Sequence, residues 1–128
     1  MRTAALAAIM IIAGATASQA APRVQFDLVC TGSIQDSGGA SHAWNDRIAV
    51  DLAAGSYCEG LCEAPRPLAF VEPGFIYFEG ARAPDGQVPD HGFAVNRMNG
   101  DIYKRDGVAS ATGKCRPDKF TPFSHRLF

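Results

Sequence analysis

Apolar and polar residues alternate along several short stretches of the chain, which is the pattern of β-strands that bury one face. The first stretch covers residues 24–31. The positions predicted to face inward are Val24, Phe26, Leu28 and Cys30. Asp27 belongs to the polar positions that alternate with them, so we expect its side chain to face outward.

A second alternating stretch, residues 44–52, follows a flexible turn predicted over residues 36–40. Its inward positions are Ile48, Val50 and Leu52. The two stretches are close enough in the chain to pair as one long hairpin.

The clearest local signal is a hairpin over residues 93–105. Its turn is Asn99-Gly100, a dipeptide in which both residues tolerate positive φ. Strand-forming residues flank the turn on both sides: Phe93, Val95, Ile102 and Tyr103.

Another strand pair is predicted where residues 68–72 and 75–79 flank Pro73-Gly74, the signature of a type II turn. The apolar run that opens the second of these stretches indicates a central strand. Residues 108–115 are expected to complete the sheet.

Two segments are predicted to be irregular. Residues 53–67 contain Pro65 and Pro67, and residues 81–92 contain two further prolines and two glycines. No stretch of 11 residues after position 20 carries a helical apolar stripe. The pattern therefore predicts an all-β fold: a small antiparallel barrel or sandwich of about seven short strands.

Residues 1–20 have the features of a secretory signal peptide. A positive charge at Arg2 precedes the apolar run 6–13, and small residues at Ser18 and Ala20 suit cleavage before Ala21. No second long apolar run follows, so no transmembrane segment is predicted in the mature chain. We expect one domain over residues 21–128, located in a bacterial periplasm or secreted.

All four cysteines fall in the predicted mature domain, and an even number in an exported chain indicates two disulfides. Three pairings are open. We predict Cys58–Cys62, which closes a short loop at Gly60, and Cys30–Cys115, which ties the first strand to the last. The rival interpretation is a metal site, but Cys-x-x-x-Cys is not the usual zinc spacing and no histidine is near it in sequence.

Charge is nearly balanced in the mature chain, with 11 basic and 13 acidic residues, and this gives no indication of nucleic-acid binding. The distribution is uneven: residues 21–96 carry 4 basic and 10 acidic residues, and residues 97–128 carry 7 and 3. Basic late strands pairing with acidic early ones would explain this. A basic face for an anionic envelope surface is the alternative.

Several short motifs resemble those of small exported proteobacterial proteins of unknown function. They are Phe26-x-Leu28-x-Cys30-x-Gly32, Val50-Asp51-Leu52, Cys58, Val95-Asn96-Arg97-x-x-Gly100 and Gly113-x-Cys115. The resemblance spans most of the mature chain. It implies an exported β domain, and it supplies no catalytic residue and no function.

Candidate chemistry is sparse. His91 beside Asp90 is the best pair for proton transfer, although adjacent residues of a strand point to opposite faces. Asn96 and Arg97 are candidates for polar recognition or for stabilising the turn, and Trp44 for lining a pocket or for the core.

No phosphate-binding loop, nucleophile elbow or His-Glu-x-x-His motif is present, so no catalytic residue, cofactor or metal is predicted. Two functions are compatible with this pattern. The first is a non-catalytic binding or inhibitor module that presents loops 36–44 and 80–92 to an unknown protein or cell-envelope glycan. The alternative is a small periplasmic enzyme that uses the His91 and Asp90 pair.

Overall fold

The computed structural model describes residues 23–62, 64–80 and 91–123, which form an all-β fold. The predicted signal peptide and Asp90 lie outside the described residues. In chain order the strands are β1 (Gln25–Gln35), β2 (Ser41–Asp51), β3 (Ser56–Glu59), β4 (Arg66–Pro67), β5 (Phe70–Val71), β6 (Phe75–Glu79), β7 (His91–Asn96), β8 (Asp101–Asp106) and β9 (Ser110–Asp118).

The strands form one antiparallel sheet in the order β4-β3-β2-β1-β9-β8-β7-β6-β5. The sheet is curled into a half-barrel, and its two edge strands, β4 and β5, are consecutive in the chain. Leu68 and Ala69 join them, and their amides donate to Gly55 O and Tyr77 O respectively, each at 2.9 Å. The chain therefore passes directly from one edge of the sheet to the other.

The core fills the concave side of the sheet, which we call the interior. Alternate residues of each long strand point into it, as the sequence pattern predicted. Its buried members include Phe26, Leu28, Ile48, Val50, Tyr57, Ile76, Phe78, Phe93, Val95 and Ile102. Val24 was expected to belong to this set, but it precedes β1 and is exposed.

The first and last strands pair along their length and carry the predicted long disulfide. Cys30 and Cys115 are direct partners in the β1–β9 register, and their Cα atoms are 4.0 Å apart. Cys58 bonds to Cys62 across a loop in which Gly60 has φ +57°. Both disulfides have the pairing predicted from the sequence.

The predicted count of seven strands was too low, because residues 53–67 are not wholly irregular. They contain β3 and the two-residue edge strand β4, which pairs with it. Both strands are too short to show a clear alternation. Pro67 is tolerated in β4 because an edge strand leaves some of its N–H groups unpaired.

Two predicted turns form with different geometry. The predicted hairpin joins β7 to β8, but its loop covers residues 97–100, with Gly100 N donating to Asn96 O at 2.8 Å. Gly100 has φ +78°. Pro73-Gly74 links β5 to β6, yet Gly74 does not have the positive φ that a type II turn requires.

Asp27 is fully buried on the convex side of the sheet, contrary to the expectation that it would face solvent. The segment after β9 covers it: Thr121 donates to the carboxylate through its amide (3.1 Å) and its hydroxyl (2.8 Å). Arg47 Nε donates to the same carboxylate at 2.6 Å. The last strand is thus fastened to the first on both faces.

Within residues 23–62, 64–80 and 91–123, the chain has no helix of the length and apolarity needed to cross a membrane.

Candidate functional site

A polar bridge spans one end of the interior. Glu59 on β3 and Lys104 on β8 form an ion pair, although three strands separate β3 from β8 in the sheet. The side chain of Asp46 on β2 forms a hydrogen bond with the side chain of Glu59. The same Lys104 Nζ lies 4.9 Å from the centre of the Phe93 ring. The Glu59–Lys104 ion pair joins the mainly acidic residues 21–96 to the mainly basic residues 97–128.

The two carboxyl groups of the bridge have pKa values shifted in opposite directions. Burial, and then the hydrogen bond and the negative charge of Glu59, raise the pKa of Asp46 to about 7. Burial acts in the same direction on Glu59, but its hydrogen bonds to Asp46 and Lys104 outweigh that effect and lower the pKa of Glu59. Because the ammonium group contacts Glu59, this environment favours ionisation of Glu59 before that of Asp46.

A second polar cluster lies where the two edges of the sheet approach each other. Tyr57 on β3 donates its hydroxyl to Glu79 Oε1 on β6 at 3.0 Å. Arg66 on β4 bonds to both groups and lies over the Tyr57 ring. Burial and the charge of Glu79 raise the pKa of Tyr57. These contacts hold the half-barrel together across its open side, so we assign this cluster a structural role.

The opposite end of the interior, where β1 begins and β7 and β9 end, holds a cavity of about 330 Å³. We call it the Arg97 cavity. Its floor consists of core side chains: Phe26, Leu28, Ile76 and Val95. Its rim consists of residues from the end of β7, the β7–β8 loop and β9: Asn96, Arg97, Met98, Asn99, Gly100, Cys115, Arg116 and Pro117.

Local hydrogen bonds fix the loop at this rim. Asn96 Oδ1 accepts from the Met98 amide at 2.8 Å, and Asn99 Oδ1 accepts from the Asp101 amide at 2.9 Å. Arg97 donates through Nη1 to Glu72 O at 3.0 Å. The fold therefore holds the loop and the guanidinium of Arg97 in fixed positions.

Asn96 and Arg97 are the predicted candidates that the structure places at a cavity. Asn96 has the turn-stabilising role that was one of its two predicted roles, because its side chain binds the loop backbone. Arg97 instead reaches the β5–β6 connection and remains exposed at the cavity rim. Trp44 points into the interior from β2 and is partly buried against the core.

His91 lies at the other end of β7, away from Asn96 and Arg97. It lines a shallow cavity of about 430 Å³ together with Gln35, Asp36 and Arg105. Its partner in the strand register is Asp106, whose carboxylate accepts from the Val108 and Ala109 amides. Within the described part of the chain, the His91 ring makes no hydrogen bond or ion pair.

Sequence reasoning missed the Asp46–Glu59–Lys104 bridge. A signal for Asp46 was present: it is two residues before Ile48 and four before Val50, so strand alternation turns all three side chains to one face. Glu59 follows Tyr57 by two residues in the same way. The meeting of Glu59 with Lys104 depends on the curl of the sheet, which no local pattern reveals.

No protein-family model, curated protein sequence or solved structure matches the chain. The described residues contain no group of three or more His, Cys, Asp or Glu side chains arranged to hold a metal ion.

Proposed function

We propose that the protein is a small exported binding module that holds a small molecule in the Arg97 cavity. The observation that carries the proposal is the composition of this cavity: buried apolar side chains at the floor and polar groups in fixed positions at the rim. Small-molecule sites have this construction, and about 330 Å³ lies at the lower end of their usual range of about 300–1,000 Å³.

Disulfides support the exported location, because they persist in oxidising compartments such as the periplasm. The signal peptide predicted over residues 1–20 would deliver the chain there. Mass spectrometry of the mature protein is expected to find Ala21, or a residue near it, at the N-terminus. Soluble mature protein that retains Met1 would contradict the export proposal.

No observation among the described residues supports the alternative of an enzyme that uses Asp90 and His91. Loop 36–44, proposed as a partner-binding loop, is shorter than predicted, because β2 already begins at Ser41. Recognition of a partner protein or an envelope glycan through loop 80–92 stays a prediction, since residues 81–90 lie outside the described residues.

A neutral, environment-sensitive dye such as N-phenyl-1-naphthylamine tests the cavity. We expect its fluorescence to rise on binding to the native protein, and the Val95→Phe variant, which fills the floor, to abolish the rise. The matched control is Val108→Phe, because Val108 is 67% exposed and lies outside the cavity.

Thermal unfolding must show that both variants are folded. If Val95→Phe does not fold, amide chemical-shift mapping on the wild-type protein replaces it, and dye-induced shifts are expected at residues 95–100, 115 and 116. Absence of dye binding to the folded wild-type protein, or shifts confined to other regions, would contradict the proposal.

A further inference from the structure

We infer that the ligand of the Arg97 cavity is an amphipathic anion: a short apolar body that carries one carboxylate or phosphate group. The inference rests on the proposed binding function and adds the chemical class of the ligand. It follows from the charges at the rim, from the hydrogen bonds already made there and from the depth of the apolar floor.

The charged residues among the described residues that line the cavity are Arg97 and Arg116, and no carboxylate is among them. The guanidinium of Arg97 stands at the rim, beside the β5–β6 connection. Arg116 follows Cys115, whose side chain enters the interior, so strand alternation turns the Arg116 side chain to the convex side, where its charge acts on Asp118. An anion at the mouth of the cavity would therefore meet the positive charge of Arg97.

The acidic groups next to this rim already bind other partners. Asp101 pairs with Lys114 at 2.5 Å, and Asp118 accepts from Arg47 Nη2 at 3.2 Å and from the Lys119 amide at 2.8 Å and also interacts with the charge of Arg116. Arg97 makes its hydrogen bond to the backbone carbonyl of Glu72. The rim thus keeps the positive charge of Arg97 although the protein as a whole has a formal net charge of −1.

The amide oxygens at the rim bind the loop. Asn96 Oδ1 accepts from the Met98 amide, and Asn99 both accepts from the Asp101 amide and donates to the Asp101 carboxylate at 2.9 Å. The guanidinium group of Arg97 supplies the charged donors at the rim. Its planar array of N–H donors matches the oxygens of a carboxylate or a phosphate.

The floor selects the other part of the ligand. Phe26, Ile76 and Val95 are each at most 8% exposed and present no polar side-chain atom. A chain or ring that enters the cavity leaves water for an apolar surface, which favours binding. A fully hydrophilic anion such as inorganic phosphate would leave this floor uncovered, so we expect it to bind more weakly than an amphipathic one.

A matched series of eight-carbon ligands tests the inference by displacement of the neutral dye. Octanoate and octyl phosphate carry an anionic group, octan-1-ol a neutral group and octylammonium a positive group, while the apolar body is the same. We expect octanoate and octyl phosphate each to displace the dye at a concentration at least about tenfold lower than the concentration of octan-1-ol that is needed. Octylammonium should be the weakest ligand. The stronger of the two anions identifies the preferred head group.

The Arg97→Gln variant provides the second arm, and the residue is exposed, so the fold should be retained. We expect it to bind octanoate about tenfold or more weakly and octan-1-ol with nearly unchanged affinity. The control is Lys119→Gln, which removes a positive charge outside the cavity lining.

The outcomes separate the two proposals. Equal displacement by octanoate and octan-1-ol, or unchanged octanoate affinity in the Arg97→Gln variant, would overturn the anionic class while leaving the binding module intact. Failure of the dye and of every ligand to bind the folded protein would overturn the binding module itself.

Discussion

Gly32 on β1 and Gly113 on β9 are partners in the strand register, and neither has room for a side chain. A Cβ atom on Gly32 would lie 2.0 Å from Thr112 O, and one on Gly113 would lie 2.2 Å from Thr31 O. The pair lies two residues from the Cys30–Cys115 disulfide. Close approach of the first and last strands therefore depends on two glycines as well as on a covalent bond.

Alanine at either glycine should weaken this strand pair. We expect Gly32→Ala or Gly113→Ala to lower the free energy of unfolding by about 1–3 kcal/mol or more, because backbone atoms must move to accept the methyl group. Denaturant unfolding measures the change. Gly74→Ala is the control, since nothing lies within 4 Å of its added Cβ and its φ is not positive. Equal stability of all three variants would show that β1 and β9 do not approach so closely.

The two disulfides should differ in their contribution to stability. The Cys30–Cys115 bond has a sequence separation of 85 residues and the Cys58–Cys62 bond one of 4. In the chain-entropy description, the longer loop corresponds to about 4–5 kcal/mol and the shorter one to about 2 kcal/mol. We expect replacement of the first pair by alanine to lower the melting temperature more than replacement of the second. The reverse order would contradict this, and peptide mapping without reduction checks the pairing itself.

Stability should decrease as the pH rises toward neutrality because of Asp46. Its pKa is raised from 3.8 to about 7 in the folded protein, so the folded state holds a proton that the unfolded chain has released. This contribution is fully present below about pH 4 and is lost as the pH rises through about 7. The lowered pKa of Glu59 acts in the opposite direction, but below the ordinary value of 4.5.

The Asp46→Asn variant isolates this effect. Its melting temperature relative to wild type should rise between about pH 5 and pH 8, because only the wild-type protein loses the stabilising proton. The control is Asp106→Asn. Hydrogen bonds from the Ala109 and Val108 amides lower the pKa of Asp106 below 3.8, so it titrates outside this window. A constant difference between wild type and Asp46→Asn would show that Asp46 does not hold the proton.

Asp27 should be among the most sensitive polar residues of the chain. Asp27→Ala removes the acceptor of hydrogen bonds from Arg47 and Thr121 and leaves a buried space, so we expect a loss of about 2–5 kcal/mol. Proteolysis after residue 118 should accelerate, since the covering segment loses its attachment. Asp36→Ala, in an exposed turn, serves as the comparison. Similar stability of both variants would contradict the role of Asp27.

Local patterns predicted the long strands well, because alternation in β1 and β2 reflects a core that every second residue enters. They failed where a distant segment decides the environment. Asp27 alternates with the inward residues of β1, as an outward residue does, but Arg47 and the segment around Thr121, 94 residues away, contact its carboxylate on the convex side. Asp46 lies an even number of positions before Ile48 and Val50, so its side chain faces the interior as theirs do. A charged residue was nevertheless not expected in the interior. Arg97 was found as a candidate, whereas the cavity beside it depends on four strands meeting at one end.

The sheet order also has a consequence for folding kinetics. Among the described strands, β1–β9 is the one pairing between strands that are not consecutive in the chain. Once Cys30 and Cys115 are joined, the polypeptide between them is a covalent ring in which the first and last strands are already neighbours. Each remaining pairing among the described strands joins strands that are consecutive in the chain. Because long-range contacts slow folding, the oxidised chain should refold faster than the reduced one.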